Sequence, residues 1–145
     1  MSNIQFFFED IKPVTFNKNL LNQQIKYLIR TENYKTGDIS IIFCSDEYLL
    51  QMNEQYLKHD YYTDIITFDY VGESVISGDL FISIDRVREN ADKFNAKFKV
   101  ELYRVVFHGV LHLAGYKDKS EEDKKLMRSM EDFYLHAVDF SEEEL

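Results

Sequence analysis

The chain has 145 residues, of which 45% are hydrophobic and 15% aromatic; this is a globular composition, and the length predicts one domain spanning residues 1–145. A net charge of −9 argues against a nonspecific nucleic-acid binder, because such a protein needs a basic surface. The single cysteine, Cys44, excludes an internal disulfide framework and suits a reducing compartment. With neither a signal-peptide pattern nor an apolar stretch of membrane-spanning length, we expect a cytoplasmic protein without a membrane partner.

The apolar pattern along the chain predicts alternating strands and helices. The first half of the chain has a strand through Ile4, Phe6 and Phe8, a helix capped by Asn17, a strand at 39–44 and a helix at 47–56. Two strands follow at 64–71 and 78–84, and we expect them to be antiparallel. The rest is helical: a helix capped by Asp85 that ends near residue 96, a helix at 100–114, and a final helix opened by a capping box at 120–123. This order predicts an α/β (α+β) fold, with a small mixed sheet of about four strands and helices packed against it.

The segment from residue 107 to residue 118 reads F-H-G-V-L-H-L-A-G-Y-K-D. His108 and His112 are four residues apart, so on a helix their imidazoles project from one face. Gly115 follows where a helix end needs a residue that tolerates positive φ, and a chain that reverses there can bring Asp118 back beneath the two rings. Two imidazoles and one carboxylate, with an open fourth position, are typical of a catalytic zinc site.

The histidine pair by itself is compatible with a metal-free core and with more than one metal chemistry. An isolated H-x-x-x-H pattern is more simply a pair of core histidines bonded to backbone carbonyls, but Gly115 and Asp118 at these offsets favour a metal site. A zinc peptidase is disfavoured, because peptidases of the H-E-x-x-H type carry a glutamate directly after the first histidine, where this chain has Gly109. Phosphodiester cleavage fits better, since a metal can both polarise the phosphoryl oxygen and activate the attacking group.

Basic residues concentrate between residues 86 and 104, although the chain as a whole is acidic. A charge run of this kind usually lies on a solvated helix face. The alternative is a local cationic surface that faces RNA, to which Lys117 and Lys119 would contribute. The basic residues of the stretch are Arg86, Arg88, Lys93, Lys97, Lys99 and Arg104.

Three parts of the sequence together resemble the YbeY family of bacterial metal-dependent endoribonucleases. They are H-G-V-L-H-L-A-G-Y at 108–116, M-N-E-Q-Y at 52–56 followed by D-Y-Y-T-D-I-I-T-F at 60–68, and Gly78-Asp79 before an apolar strand. The resemblance implies a metzincin-like helix at the metal site, one Zn²⁺ ion, and a single-strand-specific endoribonuclease of 16S ribosomal RNA 3′-end maturation and ribosome quality control. The implied partners are ribosomal RNA of the small subunit and, as candidates, ribosomal proteins or an assembly GTPase.

This chain departs from the family pattern at the end of the histidine segment. The family usually has Asp-His there, whereas this chain has Lys117-Asp118. The third metal ligand is therefore predicted to be the Asp118 carboxylate, which is an ordinary zinc ligand but leaves the metal less electrophilic than a third histidine would. His59 is the alternative third ligand, although the reversal at Gly115 delivers Asp118 locally.

A second departure is Leu57, where the family pattern has an arginine that leucine cannot imitate as a phosphate partner. By the resemblance, Asp64 lies beside the cleft, although it could equally cap a turn. If Leu57 is simply packed, the protein could instead be a small-subunit assembly factor whose metal is structural. Candidates to replace the arginine are Lys58, His59, Lys117 and Lys119. The predicted catalytic set is His108, His112, Asp118, Lys58 and Asp64, of which the first three bind the metal.

Overall fold

The computed structural model describes residues 3–57, 65–69 and 74–143, with their side chains except those of residues 56 and 57. Four strands and five α-helices lie along these residues, which confirms the predicted mixed α/β class. The elements are β1 (Asn3–Glu9), α1 (Lys18–Thr31), β2 (Lys35–Cys44), α2 (Asp46–Leu57), β3 (Ile65–Asp69), β4 (Val75–Ser83), α3 (Ile84–Lys93), α4 (Phe98–Leu113), α5 (Glu121–His136) and a closing 3₁₀ turn (Phe140–Glu143).

The four strands form one mixed sheet in the order β1-β2-β4-β3. β2 is parallel to β1 on one side and to β4 on the other. β3 pairs antiparallel with β4, as predicted for the two strands around 64–71 and 78–84. Because parallel neighbours need a crossover connection, α1 links β1 to β2, and α2 lies on the path from β2 toward β4.

α4 packs against the sheet and is buried on nearly every side, as its apolar sequence predicted. It contacts β3 and β4 and also α1, α3 and α5, so it lies at the centre of the molecule. Gly109 permits this close approach, since a Cβ atom there would lie 2.6 Å from Ile65 Cδ1 and 3.0 Å from Leu80 Cδ1. The position that holds the glutamate in zinc peptidases therefore faces the sheet.

The start of α3 differs from the prediction. Ser83, and not Asp85, is the N-cap, and its Oγ accepts a hydrogen bond from the Arg86 amide at 3.2 Å. The Asp85 carboxylate instead accepts from the amide of Asp46 at 2.8 Å, in the first turn of α2. Either residue is a good cap in isolation, so the choice depends on the neighbouring helix. α3 also ends at Lys93, before the predicted residue 96.

Two other predicted helix caps are confirmed, whereas α2 and α4 begin one and two residues before the predicted residues 47 and 100. Asn17 caps α1 by accepting from the Leu20 amide at 3.0 Å, and Ser120 opens α5 with a capping box. The buried carboxylate of Glu143 accepts from the Asn17 amide at 2.9 Å and from the Tyr103 hydroxyl, so the closing turn ties the start of α1 to α4. No helix in the described part of the chain is long and apolar enough to cross a bilayer.

Candidate metal centre

Two histidines project from the last turns of α4. The ring centroids of His108 and His112 are 4.5 Å apart and their planes are nearly perpendicular, at 85°. Their Nε2 atoms face each other at 2.9 Å. Helical spacing of four residues accounts for this pairing, because it places both side chains on one face of the same helix.

Gly115 ends α4 and turns the chain back toward the histidines. Its φ is +103°, in the left-handed region that favours glycine. The amide of Gly115 donates to the His112 carbonyl and the amide of Tyr116 to the Leu111 carbonyl, both at 3.0 Å, which is the Schellman pattern of a helix end. The reversed chain then brings Asp118 Oδ2 to 3.3 Å from the Nε2 atom of each histidine.

The structure thus brings together the three residues predicted to bind a metal. One ligand atom from each of His108, His112 and Asp118 lies within 4.8 Å of the others. In the described part of the chain, these three residues form the cluster that could hold a metal ion. A tetrahedral zinc ion with bonds of about 2.0–2.1 Å separates its ligand atoms by about 3.3 Å. The observed separations of 2.9 and 3.3 Å are close to that value.

The hydrogen bonds of the two rings set which nitrogen faces the centre. His108 Nδ1 lies 2.7 Å from Glu131 Oε2, and His112 Nδ1 lies 2.9 Å from the Tyr116 carbonyl oxygen. A carbonyl oxygen and a carboxylate only accept, so each Nδ1 donates its proton and each neutral ring presents a lone pair at Nε2. Two lone pairs and a carboxylate oxygen then converge on one point, and a cation is what such a set of acceptors fits.

Glu131 is the functional residue that the sequence pattern did not reveal. It comes from α5, its exposed fraction is only 4%, and it also accepts from Arg104 Nη1 at 3.1 Å. A carboxylate behind a metal-binding histidine fixes the ring and raises its basicity. The sequence carries a faint signal, since Glu131 shares the buried face of α5 with Met127, Tyr134 and Leu135 at helical spacing.

Glu32 holds the turn that orients His112. Its carboxylate accepts from the Tyr116 hydroxyl at 2.7 Å and from the Tyr134 hydroxyl, so α1 and α5 both anchor the residue whose carbonyl meets His112. Burial, together with the hydrogen bond to Glu32, raises the pKa of Tyr116 to about 12, so this phenol stays a donor at neutral pH. The His112 ring is therefore fixed by contacts that lie outside its own helix.

A cleft of about 280 Å³ opens beside His108, between α3, α4 and α5. Asp118, whose side chain is 43% exposed, forms part of its wall, so the centre is open to solvent on this side. The rest of the lining is mixed: it includes the basic residues Arg104, Lys124 and Arg128, the aromatic ring of Phe94, and the carboxylates of Glu101 and Glu131. Such a concave, mixed surface next to a metal group is a suitable place for a substrate.

A family model described as Endoribonuclease YbeY matches residues 6–139. The chain belongs to the YbeY family. A protein of Parabacteroides distasonis named endoribonuclease YbeY is 50% identical over 128 residues, which cover 88% of this chain and 90% of that protein. A second, from Cytophaga hutchinsonii, is 48% identical over 138 residues, covering 94% and 96%. The solution structure of a Thermotoga maritima protein superimposes with a TM-score of 0.65 at 30% identity, covering 96% of this chain and 90% of that one.

These matches confirm the resemblance to the YbeY family that the three sequence segments indicated. Some residues singled out by that resemblance lie outside the part of the chain that the structure describes. Lys58 and Asp64, both predicted to be catalytic, and His59, the alternative third ligand, belong to residues 58–64. Leu57 is the last residue of α2, and its side chain is likewise not described.

Three of the six basic residues between residue 86 and residue 104 form ion pairs within the described part of the protein. Arg86 binds Asp46 at 3.1 Å, and Lys99 lies 3.4 Å from Glu143. Arg104 binds Glu131 at 3.1 Å, and Glu131 in turn contacts His108 Nδ1. The exposed residues Lys117 and Lys119 flank Asp118. That the stretch faces RNA therefore remains a prediction.

Proposed function

We propose that this protein is a zinc-dependent endoribonuclease of single-stranded RNA that acts in maturation of the 16S ribosomal RNA 3′ end. Membership of the YbeY family and relatives named as endoribonucleases support the reaction class. We further propose that residues 1–145 form one domain and that it works in the cytoplasm. Small-subunit ribosomal RNA would be its principal partner, with ribosomal proteins or an assembly GTPase as candidate protein partners.

One observation carries the proposal: three potential ligand atoms of the metal centre converge, at separations of 2.9 to 3.3 Å. His108, His112 and Asp118 would hold the ion through Nε2, Nε2 and Oδ2. When bound, zinc supplies a Lewis acid for the phosphodiester and lowers the pKa of water, which is the chemistry that hydrolysis needs. With three protein ligands, the fourth position of a tetrahedral zinc ion is left open for that water.

The remaining residues of the centre have positioning roles. Glu131 holds the His108 ring and Tyr116 holds the His112 ring, so both keep their Nε2 lone pairs directed inward. Arg104 balances the charge of Glu131 inside the protein. Lys58 and Asp64 stay in the proposed catalytic set on the strength of the family resemblance.

The test compares zinc content and RNA cleavage in the wild type, His112→Ala and Asp118→Ala. We expect both variants to lose stoichiometric zinc, measured by elemental analysis, and to lose cleavage of a single-stranded ribosomal RNA fragment. His136→Ala is the matched control, because His136 is exposed at the end of α5 and belongs to no metal group in the described residues. That variant should keep both properties.

Two outcomes would count against the proposal. Full zinc occupancy in Asp118→Ala would refute the ligand assignment. Equal cleavage of RNA by the wild type and His112→Ala would exclude a catalytic role of the metal. A wild type that holds zinc and binds small ribosomal subunits, but cleaves no RNA, would instead establish the assembly factor.

A further inference from the structure

Phe94 is an exposed aromatic ring at the mouth of the cleft beside His108. It is the residue that follows α3, and its exposed fraction is 54%. Two cations approach the ring, with Lys93 Nζ 5.6 Å and Arg128 Cζ 6.0 Å from its centroid. Exposing a phenyl ring to water is unfavourable, and an exposed ring with cations around it is the arrangement by which proteins stack a nucleobase.

Arg128 keeps hydrogen-bonding capacity for a ligand. Its side chain is 53% exposed, and its partner Glu131 lies 3.9 Å away. Glu131 is already engaged by Arg104 at 3.1 Å and by His108 at 2.7 Å. The guanidinium of Arg128 can therefore turn to a phosphate, for which its planar fork is suited, without uncovering a buried charge.

Lys124 supplies a second cation on the same face of α5, one helical turn before Arg128. It pairs with Glu121 at 3.7 Å, and both of these side chains are largely exposed. Exposed pairs of this kind contribute little to stability, so exchange of Glu121 for a phosphate costs little. Lys124 and Arg128 line the same cleft as Phe94.

The cleft connects these groups to the metal centre, because His108 and Asp118 also line it. The third basic residue of the lining, Arg104, binds Glu131 and Asp132 and is committed to the protein itself. The cleft also contains the carboxylates of Glu101 and Glu131, which Arg104 pairs, and that of Asp118 at the metal centre, so Lys124 and Arg128 beside Phe94 are the cations left for an anion with a flat face.

We infer that Phe94, Arg128 and Lys124 form a nucleotide subsite for single-stranded RNA next to the metal centre. One base stacks on Phe94, and Arg128 and Lys124 pair with the phosphate beside it. The inference rests on the proposed function, since it takes the substrate to be RNA. It also explains a preference for single strands, because the faces of paired bases in a duplex are covered by their neighbours.

The test measures binding of a fluorescent 2′-O-methyl oligouridine of about eight nucleotides, a length that spans one such binding surface. Anisotropy is followed with the zinc-loaded protein; the methyl group blocks attack by the 2′-oxygen, and electrophoresis after each titration checks that water has not cut the probe. We expect Phe94→Ala to weaken binding about 5- to 150-fold, the range for loss of one stacked base. Phe94→Trp should restore it, and Arg128→Gln should weaken binding and lower its salt dependence.

Phe133→Ala is the matched control. Phe133 is also 54% exposed and lies on α5, but it packs against Tyr134 and does not line the cleft. We expect it to bind the oligonucleotide as the wild type does. Circular dichroism checks the fold of each variant, and Arg128→Gln provides an independent result if Phe94→Ala does not fold.

The outcomes separate this subsite from the proposed function. Binding by Phe94→Ala and Arg128→Gln equal to that of the wild type overturns the subsite, even if all of these proteins cleave RNA. Selective loss of binding in those variants supports it, even if the wild type cleaves no RNA. Equally tight binding of a duplex of the same length, with the same dependence on Phe94, contradicts a stacked single-stranded base.

Discussion

At the residue scale, the Glu131 carboxylate contacts three side chains, those of Arg104, His108 and Arg128. Its substitution tests how far zinc binding depends on it. In Glu131→Gln the shape is kept, but the negative charge opposite Arg104 is removed and the acceptor for His108 Nδ1 is weakened to a neutral amide oxygen. We expect the zinc affinity to fall about 10- to 100-fold, the usual cost of losing a carboxylate behind a metal-binding histidine. Competition with a chromophoric chelator measures this affinity.

Asp132→Asn is the control for that substitution. Asp132 also binds Arg104, at 2.8 Å, but it is half-exposed and forms none of the ion pairs found for His108 and His112 in the described residues. Its zinc affinity should stay near that of the wild type. If Glu131→Gln binds zinc as tightly as Asp132→Asn does, the carboxylate serves only to neutralise Arg104.

The difference between Asp118 and Glu131 shows what the sequence could predict at this scale. Asp118 lies close to His112 along the chain, so local helix and turn geometry was enough to place it. Glu131 meets His108 only because α5 packs on α4. No local pattern encodes that contact. The same holds for Asp85, which does not cap its own helix because its carboxylate accepts from the Asp46 amide at the start of α2.

At the scale of elements, the left-handed end of α4 couples the stability of the helix to the metal centre. A Cβ atom on Gly115 would meet nothing within 4 Å, so the cost of Gly115→Ala arises from its φ of +103° alone. We expect the substitution to lower the free energy of unfolding by about 1–2 kcal/mol. It should also weaken zinc binding, because the turn carries Asp118. Urea unfolding of the zinc-free protein and chelator competition measure the two effects.

Asn95→Ala distinguishes the local effect from general destabilisation. Asn95 follows α3 with φ of 53°, a left-handed helix end that carries no residue of the metal group. This variant should lose stability while its zinc affinity stays unchanged. A parallel loss of zinc affinity in both variants would mean that the Gly115 turn has no specific part in positioning Asp118.

The elements themselves were largely predictable, while their arrangement was not. Alternating apolar residues placed the strands, and the antiparallel pairing of β3 with β4 was expected because a short connection joins them. The strand order β1-β2-β4-β3 depends on how helices cover the sheet. The close packing of α4 on β3 and β4 depends on Gly109, which the sequence analysis singled out only because it replaces the glutamate of zinc peptidases.

At the scale of the whole molecule, the buried thiol of Cys44 reports on global unfolding. Cys44 ends β2, is fully buried, and donates to the Ile82 carbonyl at 3.5 Å. Burial raises the pKa of this thiol from 9.0 to about 12, and the carboxylates of Asp85, Asp10 and Asp46 add to the shift. The folded protein should therefore resist thiol reagents at pH 8, and labelling should require unfolding.

The raised pKa of Cys44 also predicts how stability depends on pH. Below pH 9 the thiol is protonated in both states, so its contribution is fully present there. Between pH 9 and about pH 12 the unfolded chain releases this proton while the folded chain keeps it, so the free energy of unfolding falls as the pH rises. One proton gives a slope of at most about 1.4 kcal/mol per pH unit.

Cys44→Ala should start less stable at pH 8 because a cavity forms, yet lose less stability up to pH 10 than the wild type does. Tyr103, Tyr116 and Tyr134, whose pKa values are also raised, are present in both proteins and cancel in the difference. The free energies of unfolding come from urea titrations at each pH. If the wild type and Cys44→Ala differ by the same free energy at every pH from 8 to 10, the fold does not hold the thiol neutral.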